Sequence, residues 1–357
     1  MPTHSLIPSS LSRRTFLKRS ALATAAAAAG PALLTACGSS PADGGNGGEA
    51  MTFLSILPLE TLSMAPELLA VAGGHFAKHG LDVTLQAVKG SPQAMQTLLA
   101  GVGPVTRLGQ IDVMAAVAEA KQPLVNIGTL SRGSTVRVVY SKQDPLEKPE
   151  DFVGKTIGVP SEGGTSSKVV SLVLANAGLD PETVPRQVTG LTPGTFNLVQ
   201  QGRIAGYVVS IDTATIVMSQ HDDAGVFDPS TVVKSDSQVY VSTEDTIQNS
   251  PDALKAFMAG IRDALAEFVA DSNFDKTIAA LRKEYSFATL DDDTIARQSL
   301  TMSRELWTGG DASKPLLVTD EAAWAAGYGE LVAAGQAKPG GDPASWFDNS
   351  LLPEPKA

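Results

Sequence analysis

The chain alternates short apolar runs with longer segments of helical spacing. Thr52–Leu57, Leu124–Thr129 and Val136–Tyr140 are brief, rich in apolar or β-branched residues and bounded by turn residues, which predicts buried strands. Pro92–Ala100 and Ile111–Ala120 lie between such runs and carry apolar residues at the spacing of one helix face. This βαβα alternation is typical of a parallel sheet covered by helices, so the sequence predicts an α/β fold.

The stretch between residues 154 and 178 is a distinct strand, turn and helix unit. Thr156–Pro160 predicts a strand, Ser161–Ser166 a glycine-containing turn, and Lys168–Ala177 a helix that ends at Gly178. Backbone N–H groups and the positive end of the helix dipole would meet at this turn, which suits an anionic or hydrogen-bond-accepting ligand. The Walker A and G-x-G-x-x-G patterns are both absent, so a nucleotide is not indicated. An ordinary βα turn with glycines for packing is the alternative.

Composition excludes several classes of function. The 357 residues suffice for two compact domains or one large one, and the formal net charge is −11. The sequence outside the N-terminal segment has no stripe of basic residues that could neutralise phosphates, which argues against a nucleic-acid binder. The single cysteine, Cys37, excludes an internal disulfide and a cysteine-built metal site. His75 and His79 stand four residues apart, but Gly80 ends their segment, so we interpret them as surface histidines and predict no metal.

The N-terminus indicates export. Ser12–Lys18 resembles a twin-arginine export signal, and Leu34–Cys37 resembles a bacterial lipobox. We therefore expect residues 1–36 to be a signal peptide and Cys37 to carry diacylglyceryl on its sulfur. Residues 37–50 are rich in glycine and serine, which predicts a flexible tether. The mature protein would be lipid-anchored in the periplasm or on the outer face of the cytoplasmic membrane.

Four loose motifs, in order, resemble one family. Gly74–Val83 is similar to the "G-x-F-x-x-x-G-L-D-V" run of ABC-importer solute-binding proteins, in the branch of sulfonate, nitrate, thiamine-precursor and riboflavin binders. Asp151–Pro160 resembles the "D-L-x-G-K-x-I-x-V" start of that family's second domain, and Ala175–Asp180 resembles its "x-x-A-G-L" helix end. Gln200–Tyr207 stands where the family reads "S-G-x-V-D-A", with glycine and tyrosine replacing the acidic residue and alanine. The resemblance covers roughly residues 52–270.

The resemblance implies a type II periplasmic-binding-protein fold, with two lobes joined by two crossover strands and a ligand closed between them. Lobe 1 would comprise residues 51–137 and 235–357, and lobe 2 residues 138–234. The implied function is capture of a small organic solute, without chemistry or cofactor, for an ABC permease and its ATPase. We expect a monomer held at the membrane by the lipid on Cys37.

Two other functions are compatible with such a fold. One is an enzyme, a desulfinase or a pyrimidine synthase, but these resemblances need a cysteine nucleophile or a cysteine-rich iron-binding segment, and the chain has only Cys37. The other is a ligand-sensing partner of a membrane receptor. We favour the solute-binding protein.

In open α/β sheets, ligands bind beyond the carboxyl ends of the strands. Applied to the predicted strands, this rule selects loops in both lobes. The candidate ligand-binding residues are Glu60, Thr61, Arg107, Leu108, Gly109, Thr129, Glu162, Gly164, Thr165, Ser166, Asp212 and Thr213.

Arg107 ends a hydrophobic strand and needs a partner. Its guanidinium could bind a carboxylate or sulfonate of the ligand, or form an interlobe salt bridge to Glu60 or Glu162. Several acids near one arginine favour a ligand that is zwitterionic or rich in hydrogen bonds.

Short polar side chains at the other strand ends have two interpretations. Asp212 could accept a hydrogen bond from a ligand amine or hydroxyl, or cap a helix that begins at Thr213. Thr165 and Ser166 could contact the ligand or cap the helix that follows the glycine turn.

Overall fold

The computed structural model describes residues 48–354, which form two five-stranded sheets with helices packed on their faces. The predictions for the signal peptide, the lipobox and Cys37 lie outside these residues. The strands are β1 (Glu49–Ser55), β2 (Leu81–Ala87), β3 (Val105–Gly109), β4 (Leu124–Thr129), β5 (Val136–Ser141), β6 (Ile157–Val159), β7 (Arg186–Val188), β8 (Gly206–Ser210), β9 (Ala224–Phe227) and β10 (Gln238–Thr243).

Helices follow most strands and also fill the C-terminal third of the chain. The α-helices are α1 (Ala65–Ala72), α2 (His75–Lys78), α3 (Gly90–Leu99), α4 (Gln110–Ala120), α5 (Thr165–Asn176), α6 (Phe196–Gln200), α7 (Ile211–Gln220), α8 (Glu244–Asn249), α9 (Pro251–Ala270), α10 (Asp275–Glu284), α11 (Ala288–Asp291), α12 (Asp293–Thr308) and α13 (Glu321–Ala333). Within residues 48–354, no helix has both the length and the apolar character needed to cross a membrane.

The two sheets have the same topology. Their strand orders are β2-β1-β3-β10-β4 and β7-β6-β8-β5-β9. In each sheet three parallel strands are followed by an antiparallel strand, β10 or β5, that pairs with the third of them. We call the part built on the first sheet lobe 1 and the part built on the second lobe 2. The chain passes between the sheets twice, after β4 and after β9, and the exact lobe boundaries near residues 137 and 235 stay a prediction.

The core of lobe 1 explains how α9 is held. Phe257 on α9 stacks on Phe53 of β1 and on Phe76 of α2, with ring centroids 5.7 and 5.0 Å apart. The apolar residues of α9 recur at helical spacing, so one face of the helix is buried against the sheet. These contacts give lobe 1 a close-packed centre from which the loops after its strands project.

The same packing overturns the prediction for His75. Its side chain is 5% exposed because α9 covers α2, and its Nε2 atom lies 3.3 Å from an oxygen of Glu267 on α9. Burial lowers the pKa of His75 below its usual value. His79 is only partly exposed and pairs with Asp263 at 3.0 Å. Both histidines join α2 to α9, and the residues described include no cluster of three or more metal-ligating side chains.

Candidate functional site between the lobes

Asp212 of lobe 2 is bonded directly to lobe 1. Its Oδ2 atom accepts hydrogen bonds from Thr61 Oγ1 at 2.7 Å and from the backbone N–H of Leu62 at 3.2 Å. Its Oδ1 atom accepts one from Ser63 Oγ at 3.2 Å. The side chain is 3% exposed. Because α7 begins at Ile211, Asp212 lies inside the first turn, and the prediction that it caps a helix starting at Thr213 is wrong.

Asp112 of lobe 1 makes the reverse connection. It lies in the first turn of α4, is 2% exposed, and accepts a hydrogen bond from Thr165 Oγ1 of lobe 2. Its Oδ1 atom is 2.9 Å from Lys168 Nζ, also of lobe 2. The helix N-terminus at which the sequence suggested an anionic or hydrogen-bond-accepting ligand, or an ordinary βα turn, therefore faces a carboxylate of the other lobe. Since α5 begins at Thr165 after Gly164, neither Thr165 nor Ser166 caps it.

The two carboxylates occupy equivalent positions in the two sheets. Asp112 follows β3 and Asp212 follows β8, and these strands have the same place in their strand orders. Each carboxylate bonds to the segment after the equivalent strand, β6 or β1, of the opposite lobe. Asp112 and Lys168 were not predicted from the sequence. The signal that would have found Asp112 is the repeated Ile-Asp pair, Ile111–Asp112 and Ile211–Asp212, directly after a strand.

Gly109 and Thr165, both predicted site residues, meet at this junction. A Cβ atom on Gly109 would overlap the side chain of Thr165. The backbone of Gly109 has φ −68°, which any residue adopts. Glycine at this position therefore allows the two lobes to approach closely, and no special backbone conformation requires it.

Arg107 has a partner that the sequence analysis did not name. Its Nη1 atom donates to both oxygens of Glu67, at 3.0 and 3.1 Å, and Nη2 donates to the carbonyl of Ser63 at 2.9 Å. Tyr240 donates its hydroxyl to Glu67 at 2.7 Å. The side chain of Arg107 is 1% exposed. The predicted salt bridges to Glu60 or Glu162 are wrong, because the guanidinium is turned into lobe 1 towards α1.

The environment of Glu67 has opposing effects on its charge. Burial raises the pKa of the carboxyl above its usual value, while the nearby Arg107 guanidinium and the Tyr240 hydroxyl act against that rise. We therefore describe Arg107, Glu67 and Tyr240 as a buried polar group inside lobe 1 and not as a ligand contact.

A cavity of about 320 Å³ lies between the lobes, which is the size of a small-molecule site. Four predicted residues line it, namely Glu60, Thr61, Asp212 and Thr213. Other walls come from the loops after β1 and β7, from the last residue of β8, from α7 and from α11. They are Leu57, Pro58, Leu191, Thr192, Pro193, Ser210, Ile216, Gln220, Ala288 and Thr289.

The other predicted residues lie elsewhere. Leu108 is buried within the apolar core. Thr129, at the end of β4, has its hydroxyl 2.9 Å from that of Thr319. Glu162 is exposed in the turn after β6, while Gly164 and Ser166 lie at the start of α5. A second, larger cavity of about 770 Å³ lies between α7 and α12, and no predicted site residue lines it.

Asp236 is a further buried acid that the sequence analysis missed. It lies in the crossing between β9 and β10, is 3% exposed, and its Oδ2 atom has no hydrogen-bond partner within residues 48–354. Burial raises its pKa from the ordinary 3.8 to about 6, and the carboxylates of Asp112 and Glu330 add to the rise. The Ser134 hydroxyl and the Arg137 guanidinium act in the opposite direction.

Comparison with known proteins identifies a family. Residues 61–273 match the model of the family described as "NMT1/THI5 like". A formylaminopyrimidine-binding protein of Halalkalibacterium halodurans is 25% identical over 53% of this chain and 57% of its own length, little more than half of that relative. A riboflavin-binding protein of Chloroflexus aurantiacus is 23% identical over 84% of this chain and 85% of its own.

Comparison with solved structures confirms the predicted fold. The periplasmic aliphatic sulphonate binding protein of Escherichia coli superposes with a TM-score of 0.62 and is 15% identical. The match covers 84% of this chain and 97% of that protein. The two lobes and two chain crossings are thus the periplasmic-binding-protein fold that the motifs predicted.

Substitution of Arg107 tests whether it has a structural role. Arg107→Met leaves Glu67 buried without its cation, so we expect the free energy of unfolding to fall by about 3–5 kcal/mol in urea titrations at pH 7. The double variant Arg107→Met/Glu67→Leu should regain much of that loss, because both charges are then removed. A single variant as stable as wild type would contradict this role.

Substitution of Asp236 should show a specific pH dependence. Its pKa is higher in the folded than in the unfolded protein, so this acid weakens folding as pH rises through its titration range. The unfolding free energy of Asp236→Asn minus that of wild type should therefore be about 1.4 kcal/mol larger at pH 8 than at pH 5. Urea titrations at both pH values measure the difference. The exposed Asp82→Asn in β2 is the matched control and should show no such trend; an equal trend there would contradict the assignment.

Proposed function

The chain belongs to the NMT1/THI5-like family, and on that premise we propose that it is the extracytoplasmic solute-binding component of an ABC importer. In this proposal it captures a small organic solute by closure of its two lobes and delivers it to a permease with its ATPase. It acts as a monomer, is anchored by lipid on Cys37 and performs no chemical step on the solute.

The interlobe cavity is the observation that carries the proposal. Segments of both lobes line it, and Asp212 belongs both to its wall and to the bonds that hold the lobes together. A solute in this cavity would contact both lobes at once, so its binding would favour the closed arrangement over the open one. The two crossings between the sheets are the natural place for the hinge.

The names of the relatives suggest the range of solutes. Proteins similar to this one are named for binding formylaminopyrimidine, riboflavin and aliphatic sulphonates. We propose that the solute of this chain belongs to the same range, a sulfonate, a thiamine-precursor-like compound or a related molecule containing nitrogen or sulfur.

A thermal-shift screen tests the proposal directly. The full-length chain would be mixed with taurine, alkanesulfonates, nitrate, aminopyrimidines or riboflavin. We expect one compound to raise the unfolding midpoint, because a ligand at a hundred times its dissociation constant adds about 2.7 kcal/mol. Mass spectrometry of the recovered compound should show it unchanged. Conversion of the compound would contradict a binding role and favour an enzyme. If no compound in the panel raised the unfolding midpoint, the result would count against these solutes.

The contact between Gly109 and Thr165 gives a test of closure. Gly109→Ala places a methyl group where the lobes touch, so it should hinder closure. We expect solute affinity to fall about tenfold or more. The radius of gyration of the solute-saturated protein, measured by X-ray scattering, should increase. Gly329→Ala is the control, because no atom lies within 4 Å of the added methyl group. If Gly109→Ala binds and scatters like wild type, the observed contact has no part in solute capture.

A further inference from the structure

We infer that the solute of the interlobe cavity is an organic cation, with an ammonium or amidinium group received by Glu60 and a compact apolar body. The inference rests on the proposed function and narrows it, since the range of solutes suggested by the relatives includes anions such as sulfonates.

The charges around the cavity are all of one sign. Among the described residues that line it, Glu60 and Asp212 are the charged ones, and both are acidic. Asp212 already accepts three hydrogen bonds from lobe 1. Glu60 is exposed and has no hydrogen bond or ion pair within the described chain. Its carboxylate is therefore the charged group at this cavity that remains available to a solute.

The features nearest the cavity that would attract an anion each have a carboxylate of the protein beside them. The N-terminus of α5 and Lys168 face Asp112, and the N-terminus of α7 contains Asp212. Arg107 is paired with Glu67. An oxyanion entering the cavity would meet two negative charges with no cation to balance them, which is unfavourable in a partly desolvated site.

The remaining walls describe the body of the solute. Leu57, Pro58, Leu191, Pro193 and Ile216 supply apolar surface. Thr289 is 4% exposed, and its hydroxyl has no partner among residues 48–354. It is a polar group that a donor or acceptor on the solute could satisfy. The volume of about 320 Å³ lies at the low end for ligand sites, so the solute is small.

The larger cavity between α7 and α12 is the rival location. Arg137 and Arg297 line it and would favour an anion there. Both guanidinium groups are already paired, Arg137 with Asp228 at 3.0 Å and Arg297 with Asp275 at 2.7 Å. Ile211 and Ala214 of that cavity adjoin Asp212 and Thr213 along α7, but none of the predicted site residues lines it. We assign the solute to the smaller cavity, where four of them meet.

A charge-matched panel tests the inference on the full-length chain. The probes are benzene and pyrimidine rings carrying an aminomethyl, a hydroxymethyl, a carboxylate or a sulfonate group, measured by thermal shift and isothermal titration calorimetry. The aminomethyl compounds should bind most tightly, the hydroxymethyl compounds more weakly and the two anionic series not at all. Glu60→Gln should weaken binding of the aminomethyl compounds about tenfold and leave the hydroxymethyl compounds unchanged, as expected for the loss of one charge-assisted hydrogen bond.

The control and the adverse outcomes are distinct. Glu119→Gln removes an exposed carboxylate at the far end of α4 and should not alter binding. If the carboxylate or sulfonate series binds as well as the aminomethyl series, or if Glu60→Gln leaves amine affinity unchanged, the inference is overturned while solute binding stands. If no member of any series binds, the proposed capture of small organic solutes in this cavity fails, and the inference fails with it.

Discussion

Two carboxylates, each bonded to the opposite lobe, determine how the rest of this molecule is arranged. Asp112 and Asp212 are nearly inaccessible to water, and a buried carboxylate without donors is very unfavourable. Their donors come from the other lobe, so both acids are satisfied in the folded chain only while the lobes are together. When the lobes separate, water can replace those donors. Because each hydrogen bond is then exchanged for one with water, the net free energy of closing through these bonds is modest, about 1.5–3 kcal/mol for a bond to a charged group.

The interior of lobe 1 is arranged differently. The buried group of Arg107, Glu67 and Tyr240 has no partner in lobe 2, and the stacked rings around Phe257 lie beside it. Separation of the lobes would leave these contacts unchanged, which is what rigid-body motion requires. Asp236, at the crossing between the sheets, lowers the stability of the folded chain when it is ionised, since its carboxylate is buried without a full set of donors.

The sequence predicted the elements of this fold better than their contacts. Short apolar runs bounded by turn residues located the strands Leu124–Thr129 and Val136–Ser141 to within a residue, because local sequence patterns determine such segments. β9 was missed, since Ala224–Phe227 is only four residues long and contains a glycine. The rule that sites follow strand ends selected four residues that do line the interlobe cavity. The same rule could not tell which face of β3 carries Arg107, and a shift of one residue along a strand moves a side chain to the opposite face of the sheet.

Hydrogen bonds between residues far apart in the sequence could not be predicted from local sequence patterns. Thr165 and Asp112 are 53 positions apart, and Asp212 and Thr61 are 151 apart, so only the folded arrangement of two lobes brings them together. This arrangement also links the proposed solute contact to the relative position of the two lobes. Asp212 lines the cavity and also bonds the two lobes together. In the proposed function, a solute that contacts this wall would alter the same equilibrium that opens and closes the site. A solute shifts that equilibrium only by the difference between its affinities for the two states. If the lobes close on a solute as proposed, the interlobe bonds are largely balanced against water, so a difference of a few kcal/mol in solute affinity is enough to change the dominant state.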